Sequence, residues 1–596
     1  MTGMTVPMST HVTEQLDSPS RAYSQPASES NKPAADQATT AQKPTKLDET
    51  ALQDRMPDWF KTSRAIVWYA LLLGAMFTYL AFCPLWYTDL WGHLAYGRLI
   101  AETGSIPETA PLMPLAEGVR FVDTAWLSQL IAYVGYERFG VSALPALAAA
   151  LMVFCAGALA YRAARTTSQA WCGLVAIALF LLVDHRQLFA TSFTLTEIIE
   201  GVFSLRLPGL LLPVLIRPQL AGLACFVATL CLLTGRRSIF QWIAIPAVFA
   251  AWANLHGSFV VGIGLIGVFA IGRAGDILRR TDSFRRVLRD GEFWRYVMFA
   301  ELAAVSALIN PYGLELYASV LTFGSNPNLA DLVEWRPLTL RMQQGQLAAF
   351  AAISLVVLYC TTPRRIRTVE PFLLIGFGLL SLWMSRFLIW WGPIAAYYGA
   401  IHAGALWQAA KRKRLKKAKP GDPSPAAARP VRRSVWTVAA AGLMWIFFAV
   451  SPFGMRALGG PDAEQEAKYF GHFVRNTTAT PVDVTEYLIE HPPVGQVFNP
   501  YEWGDYLMWA GPPELEVFVA SHAHLVPSLV WEDYMRIIRG TSGWDEALER
   551  YGVNTIVLNN NSHASLIASL SADVEGWRQD YRDTRASVFT RIDPIQ

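Results

Sequence analysis

Long apolar runs constrain this chain more than any other feature of its sequence. Runs of about 15–22 apolar residues recur between Ile66 and Val450 in the 596-residue chain. A helix of about 20 residues crosses the roughly 30 Å of hydrocarbon in a bilayer. Only 16% of the residues are charged, against about 25% in an ordinary soluble domain. The runs therefore predict an all-α polytopic membrane protein and exclude a soluble enzyme and a disulfide-rich secreted scaffold.

We expect about eleven transmembrane helices. Several runs are short, as is typical of helices that end at a cavity instead of in lipid. The expected spans are Ile66–Trp86, Val141–Tyr161, Ala170–Leu182, Leu220–Leu233, Trp242–Leu255, Phe259–Ile271, Trp294–Ile309, Leu347–Cys360, Phe372–Met384, Phe387–Trp407 and Val435–Val450.

The basic residues predict the orientation of these helices. Lys and Arg favour the cytoplasmic side of a membrane, which predicts a cytoplasmic N-terminus and an extracytoplasmic C-terminus. The basic clusters are Lys61/Arg64, Arg162/Arg165, Arg236/Arg237, Arg279–Arg289, Arg364–Arg367 and Lys411–Lys419. The unusual polar residues then all lie on the opposite, outer side. These outer segments are Tyr87–Gly140, Asp184–Ile216, the His256 turn, Asn310–Gln346 and the Ser385–Arg386 turn.

The chain divides into three regions by composition. Residues 1–60 are rich in Ser, Thr, Gln, Ala and Pro and predict a disordered cytoplasmic tail. Residues 61–455 form the transmembrane domain, whose first extracytoplasmic loop is 87–140. Residues 456–596 are mixed polar and apolar, and they predict a small soluble α/β extracytoplasmic domain. The net charge of +3 gives no reason to expect a nucleic-acid partner.

The last region alternates short strand-like runs with helical stretches. The predicted strands are Gln496–Asn499, Val517–Ala520, Thr555–Leu558 and Ser587–Arg591. The predicted helices are Glu464–Arg475, Val484–His491 and Trp544–Tyr551. Tyr501, Trp503 and Trp509 either stack on an acceptor sugar or form the core of this domain.

The first outer loop opens with the most informative pair of residues. Asp89 follows a span directly, where an ionisable group is costly and indicates function. His93 lies four residues later and shares a helix face with Asp89. The pair could hold a divalent cation such as Mg or Mn, or act as a base and its orienting partner. Alternatively, Asp89 only caps the helix Leu90–Ile100.

Four further residues on the same side are candidates for substrate binding. Arg217 and Arg386 could bind phosphate oxygens through their planar guanidinium groups, although Arg217 could also be an interfacial anchor. His256 lies in a Gly-containing turn that either admits a ligand or simply satisfies the histidine. Glu334 precedes a tryptophan and predicts a sugar contact. None of these signals is specific alone, and their convergence on one face predicts the site.

The first outer loop resembles the signature of bacterial multi-pass proteins related to the GT-C glycosyltransferases. The matching residues are Asp89-Leu90-Trp91-Gly92-His93-Leu94, Gly97-Arg98, Gly104-Ser105-Ile106-Pro107 and Trp126-Leu127-Ser128-Gln129. Later matches are Arg217-Pro218-Gln219, Asn254-Leu255-His256-Gly257, Asn310-Pro311-Tyr312-Gly313 and Phe498-Asn499-Pro500-Tyr501-Glu502-Trp503-Gly504. The sequence departs from the pattern twice. Gly92 replaces a second Trp, and Ser521-His522-Ala523-His524 replaces an Asp-x-Arg run.

The resemblance implies a GT-C-like fold and a glycosyltransferase of the bacterial inner membrane. Its donor would be a polyprenyl-phosphate-linked sugar and its acceptor an envelope glycan or protein, with the lipid bilayer as a further partner. The catalytic carboxylate would be Asp89, oriented by His93 or sharing a metal ion with it, and Arg217 and Arg386 would neutralise the leaving phosphate. A non-catalytic scaffold or anchor of an envelope complex is the alternative. A transporter is disfavoured because no inverted repeat is evident.

Overall fold

The computed structural model describes residues 55–83, 85, 89–188, 215–417, 431–460 and 480–595. Most of the predicted cytoplasmic tail, part of the outer segment Asp184–Ile216 and the predicted helix Glu464–Arg475 lie outside these residues. The described chain is mainly helical up to residue 457, and a small mixed sheet with flanking helices follows.

Helices of varied length build the first part of the molecule. In the first half they are α1 Ala65–Ala81, α2 Asp89–Thr103, α3 Trp126–Phe139, α4 Ala143–Thr167, α5 Trp171–Leu188, α6 Gln219–Leu233, α7 Phe240–Leu255 and α8 Phe259–Thr281. In the second half they are α9 Phe284–Leu288, α10 Gly291–Ser306, α11 Leu314–Phe323, α12 Gln343–Thr361, α13 Val369–Trp383, α14 Leu388–Lys417, α15 Ser434–Ala449 and α16 Pro452–Ala457. Helix α5 packs between α4 and α14, and α1 packs against α15.

The predicted count of about eleven membrane spans is wrong. Among the described residues, three helices are long and apolar enough to cross a membrane by length and composition, namely α4, α8 and α12. Seven more helices or helix segments are apolar but have only 10–17 residues. The reason is length, because a helix of 15 residues rises only about 22 Å, less than the hydrocarbon thickness.

The surface of the helical part is apolar over large areas. On α12, the side chains of Ile353, Val356 and Val357 are 66%, 63% and 59% exposed. Exposed apolar patches of this kind are rare on soluble monomers. They are expected where a helix faces lipid chains, so the composition of these surfaces agrees with membrane association.

The C-terminal region contains a five-stranded mixed sheet. Its strands are β3 Gln496–Phe498, β4 Glu516–Val517, β5 Thr555–Asn559, β6 Trp577–Arg582 and β7 Ala586–Arg591, after the short β1 Thr62–Ser63 and β2 Arg432–Arg433 near the helices. The strand order is β4-β3-β5-β7-β6, with β3 parallel to β4 and β5, and β7 antiparallel to β5 and β6. Its helices are α17 Val482–Glu490, α18 Tyr501–Ala510, α19 Ser528–Ile538, α20 Trp544–Arg550 and α21 Ala564–Ala572. The small α/β region and its four predicted strands are confirmed, and β6 was not predicted.

The aromatic residues of α18 serve packing. Trp503 is only 2% exposed and belongs to the core of the sheet region. The ring of Trp509 lies 6.3 Å from that of Trp91 on α2, and the guanidinium of Arg98 lies 4.6 Å from its centroid. The expectation that Trp503 stacks on an acceptor sugar is therefore wrong. Its burial against the sheet makes it a core residue, and α18 anchors the C-terminal region to α2.

Candidate active site

A single cavity of about 320 Å³ collects all six candidate residues. Helix ends and the turns between helices position them. Asp89 begins α2, Arg217 lies just before α6, and His256 separates α7 from α8. The residues in this cavity that the sequence predicted are Asp89, His93, Arg217, His256, Glu334 and Arg386. The fold therefore brings the six candidate residues together in one cavity.

Glu334 bridges the two candidate arginines. One of its carboxylate oxygens lies 2.6 Å from Nη1 of Arg217, and the other lies 3.1 Å from Nη1 of Arg386. Burial alone would raise the pKa of Glu334, but the two guanidinium groups outweigh it and lower the pKa to about 2. Glu334 is therefore ionised at neutral pH. It fixes the arginines, a role that its position beside Trp335 did not predict.

The electrostatic environment of Asp89 shifts its pKa in the opposite direction from that of Glu334. Its Oδ2 lies 3.4 Å from Nη2 of Arg217, and 24% of its side chain remains accessible from the cavity. Burial, followed by the nearby carboxylates of Asp505 and Glu334, raises the pKa of Asp89 well above its ordinary value. The positive charge of Arg386 only partly offsets these effects. Asp89 begins helix α2, so its position suits a helix cap, yet its carboxylate also faces Arg217 in the cavity.

His93 is part of a hydrogen-bonded chain that leads to a second buried carboxylate. The amide Nε2 of Gln129 lies 3.2 Å from Nδ1 of His93 and donates to Oδ1 of Asp123 at 3.1 Å. Burial, and then the neighbouring His522 and His256, lower the pKa of His93 well below its usual value. The imidazole is therefore neutral at pH 7, and it carries its proton on Nε2 when Nδ1 accepts from Gln129.

The residues at Asp89 and His93 do not fit the predicted divalent cation. Asp89 faces a guanidinium, and Nδ1 of His93 faces an amide N–H donor. Within the described ranges, no three His, Cys, Asp or Glu side chains are grouped closely enough to hold a metal ion. Mg²⁺ prefers oxygen ligands in octahedral geometry, whereas here the carboxylate faces a guanidinium and the second candidate ligand is a ring nitrogen that faces an amide donor.

The C-terminal region contributes four residues to the same cavity, namely Ser521, His522, His524 and Leu525. Burial lowers the pKa of His522 to about 4 and, with the nearby His522 and Arg386, that of His524 to about 3. Both imidazoles are therefore neutral at pH 7. The segment is held to the helical part because the amide of Asn326 donates to the carbonyl of His524 at 2.9 Å.

Asp505 is the residue that the sequence reading missed most clearly. Its Oδ1 accepts a hydrogen bond from the backbone N–H of Ser521 at 3.2 Å, and a Cβ added at Gly92 would lie only 2.6 Å from the same atom. Burial raises the pKa of Asp505 to about 7. Gly92 was the feature of the sequence that could have indicated this contact, because a glycine within a helix often marks a close approach by another group.

Asp123 and Gln129 were not predicted as site residues either. Asp123 is 2% exposed, and burial raises its pKa to about 7 against the hydrogen bonds from Ala125 N–H and Gln129. Gln129 was named only as part of the motif Trp126-Leu127-Ser128-Gln129. Asp123 precedes α3 and Gln129 lies in its first turn, so their contribution to the cavity depends on how α3 packs against α2.

Comparison with known proteins finds solved structures that resemble this chain at low sequence identity. No protein-family model matches the sequence, and no curated protein matches it. The oligosaccharyltransferase AglB of Archaeoglobus fulgidus in the apo form is 12% identical, with a TM-score of 0.44, and the match covers 88% of this chain and 74% of that one. The same enzyme tethered to an acceptor peptide with the NVT sequon is 11% identical, with a TM-score of 0.45 over 90% and 74% of the two chains.

A third solved structure holds AglB in complex with an inhibitory peptide and a dolichol-phosphate. It is 12% identical, with a TM-score of 0.43, and the match covers 90% of this chain and 74% of that one. A likeness of this size does not by itself assign a family to the chain.

Proposed function

We propose that this protein is a membrane glycosyltransferase that transfers a sugar from a polyprenyl-phosphate donor to an envelope glycan or protein. One observation carries the proposal. Two carboxylates share a cavity with two arginines, and their pKa values are displaced in opposite directions, upward for Asp89 and downward for Glu334. Such separation of neighbouring carboxyl groups is the usual basis for assigning different acid–base roles.

The proposed reaction uses these two environments. Asp89 accepts the proton of the acceptor group as that group attacks C1 of the sugar. The bond between C1 and the phosphate oxygen breaks, and its electron pair leaves with the polyprenyl phosphate. Arg217 and Arg386 stabilise the charge of the departing phosphate, for which guanidinium donors are well suited. Glu334 is a positioning residue that keeps both arginines at the cavity.

His93 is proposed to contact the substrate as a neutral hydrogen-bonding group. Gln129 and Asp123 fix the orientation of its ring. A fixed neutral imidazole can bind a sugar or acceptor hydroxyl without adding positive charge beside Asp89. Additional positive charge there would lower the pKa of Asp89 and weaken it as a base.

An apolar groove next to the arginines supports a lipid-linked donor. The groove has a volume of about 290 Å³ and is lined mainly by aliphatic residues and Trp391. It includes Leu338 and Leu388, which lie four residues after Glu334 and two after Arg386. The N–H of Ser385 donates to the carbonyl of Arg336 at 2.9 Å and joins the two segments. A polyprenyl chain in the groove would bring its phosphate to the arginines.

The location of the reaction is part of the proposal. The basic clusters support a cytoplasmic N-terminus and tail (1–60), a transmembrane domain (61–455) and an extracytoplasmic C-terminal domain (456–596) in a bacterial inner membrane. The cavity would then open to the outer side, within reach of envelope acceptors.

Sugar transfer by purified protein in lipid nanodiscs tests the proposal. The donor is a labelled polyprenyl-phosphate sugar, and glycan and peptide acceptors are assayed separately. Asp89→Asn should lower transfer by about 10²–10⁴-fold, the usual contribution of a general base. Asp483→Asn, an exposed carboxyl of α17 outside the cavity, is the matched control and should retain wild-type transfer. Full activity of folded Asp89→Asn would overturn the proposal.

A non-catalytic scaffold is the second candidate, and the neutral His522 and His524 favour it. They stand where the resemblance has an Asp-x-Arg run, so the cavity lacks one cation that the resemblance implies. Thermal unfolding with polyprenyl phosphates of several chain lengths separates the candidates. A saturable rise in Tm favours the enzyme, because a bound ligand stabilises the folded state. No rise with any chain length favours the scaffold.

A further inference from the structure

A second polar cavity, of about 530 Å³, lies at the other ends of the helices that build the candidate active site. Helix α6 begins at the first cavity with Gln219 and reaches the second at Leu233. Helix α8 begins after His256, and its Arg273 lines the second cavity. The fourteen steps of helix from Gln219 to Leu233 rise about 21 Å. The two cavities have no lining residue in common, so the second is a separate site.

Arginines dominate the lining of this second cavity. They come from three elements, namely α4, the second half of α8, and the turn between α12 and α13. These residues are Arg162, Arg273, Arg280, Arg364, Arg365 and Arg367. Only Arg273 is neutralised by an ion pair among the described residues, through Asp290 at 2.7 Å and Glu292 at 3.4 Å.

The carboxylates in the second cavity are engaged by other groups. Asp276 accepts hydrogen bonds from the hydroxyl of Thr368 at 2.8 Å and from its backbone N–H at 3.1 Å. Glu370 lies 2.6 Å from Nε2 of His402 and accepts from the hydroxyl of Tyr359 at 2.9 Å. These hydrogen bonds occupy the carboxylate oxygens, and neither carboxylate forms an ion pair with an arginine of the cavity among the described residues.

Glu292, the third carboxylate, is surrounded by cations. It pairs with Arg237 at 2.7 Å, with Arg273 at 3.4 Å and with Arg295 at 3.5 Å. Its single negative charge is therefore shared among three guanidinium groups. Among the described residues, Glu292 forms no ion pair with the remaining arginines of the cavity.

The remaining guanidinium groups are available for an anion. Arg162 donates only to the hydroxyl and carbonyl of Thr234, and Nε of Arg364 is buried without a hydrogen-bond partner in the described part of the chain. A buried donor without a partner costs about 1–3 kcal/mol, a cost that an anionic oxygen would remove. Planar guanidinium groups bind phosphate oxygens in pairs, with geometry that ammonium groups lack.

We propose that this second cavity is a binding site for a phosphate-bearing anion, separate from the candidate active site. The phosphate could belong to an anionic lipid headgroup or to a soluble polyphosphate, and the recognition chemistry is the same for both. Tyr397 and Tyr398 also line the cavity. The site does not depend on the proposed glycosyl transfer, because none of its residues takes part in that reaction.

Binding to the full-length protein in neutral detergent tests this site with two probes. The first probe is inorganic pyrophosphate, and the second is phosphatidylglycerol compared with phosphatidylcholine in mixed micelles. Binding isotherms and Tm shifts are measured for wild type, for Arg364→Gln/Arg367→Gln and for the control Arg285→Gln/Arg286→Gln. The control removes the same charge from exposed arginines of α9 that do not line the cavity.

We expect saturable binding that the cavity variant weakens by at least about tenfold and the control by less than about twofold, since charge-assisted hydrogen bonds are lost only at the cavity. A response to both probes supports a general phosphate site, and a response to phosphatidylglycerol alone assigns it to a headgroup. Equal loss in both variants, or no saturable response to either probe, would overturn the proposal. If the cavity variant misfolds, the variant Arg364→Lys/Arg367→Lys is measured instead, because it keeps the positive charge and removes the guanidinium groups. Wild-type affinity of this lysine variant would contradict recognition of the anion by guanidinium groups.

Discussion

The two polar cavities contain the same residue types but pair them differently. In the first, Glu334 holds two arginines, and Asp89 is left with a raised pKa. In the second, hydrogen bonds from Thr368, His402 and Tyr359 occupy carboxylates, and most guanidinium groups of the lining form no ion pair with any residue that the structure describes. The pairing of the charged groups, more than the residue types present, therefore decides which group in each cavity can act. The first cavity favours proton transfer, and the second favours anion binding.

The largest expected effect follows from removing the carboxylate of Asp89, whose pKa is raised although Arg217 lies 3.4 Å away. Asp89→Asn keeps the size and the helix position of the side chain but cannot accept a proton, so kcat should fall by about 10³-fold. The donor KM should change by less than about threefold, since the arginines that face the phosphate remain. Steady-state transfer assays measure both constants. A large rise in KM with unchanged kcat would contradict the comparison, because it would make Asp89 a binding group.

The next effect comes from the paired carboxylate. Glu334→Gln removes the charge that fixes both arginines but keeps a side chain of the same shape, so we expect kcat/KM to fall by about 10–100-fold. The loss should lie mainly in the donor KM, since Arg217 and Arg386 would no longer be held at the cavity. The same assay applied to Glu532→Gln, an exposed carboxyl on α19, is the control. An unchanged donor KM in Glu334→Gln would show that the bridge does not position the arginines.

The six predicted residues meet in the first cavity because they lie in the first turns of helices or in the segments between helices, places that the ends of the apolar runs marked in the sequence. The sequence did not predict Asp123, Gln129 or Asp505, since no periodicity reports which distant segments pack together. Asp505 lies more than 400 residues from Gly92 in the chain, and only the packing of α18 on α2 brings them into contact. Gly92 was recognised as a departure from the pattern of the resemblance, but the sequence does not indicate that Asp505 contacts it.

The fold was predictable to a similar extent. Buried strands such as Thr555–Asn559 have continuous apolar runs and were predicted within one residue at each end. Strand Trp577–Arg582 was missed because it lies at the edge of the sheet and most of its residues are polar. The number of spans was overestimated because apolar composition does not reveal where a helix ends, and several apolar helices are too short by length alone.

The contact between Gly92 and Asp505 predicts a smaller and reciprocal effect. A Cβ at position 92 would lie 2.6–3.0 Å from three carboxyl atoms of Asp505, so Gly92→Ala should lower the free energy of unfolding by about 1–2 kcal/mol. In an Asp505→Ala background the same substitution should cost much less, because the carboxylate is gone. A double-mutant cycle by thermal unfolding measures this coupling. Additive effects would contradict the close approach.

The last effect concerns the pH dependence of Asp505, whose pKa of about 7 lies above that of an ordinary Asp. The folded protein therefore holds its proton up to a higher pH than the unfolded chain does. This contributes stability that is complete below about pH 4 and is lost as the pH rises to about 7 and beyond. Asp89 and Tyr96 of α2 face the same carboxyl and stay in place in the variant.

Asp505→Asn is neutral at every pH and should lack this loss. Its Tm should exceed that of wild type by more at pH 8 than at pH 5, with the difference equivalent to about 2–3 kcal/mol of unfolding free energy. The buried Asp123, with a pKa of about 7, is present in both proteins and contributes equally to each curve. Asp483→Asn, an exposed carboxyl, should follow the wild-type curve. A Tm difference that is the same at both pH values would mean that Asp505 is already ionised at pH 5, and the carboxyl at Gly92 would then be a charged partner of the cavity instead of a protonated one.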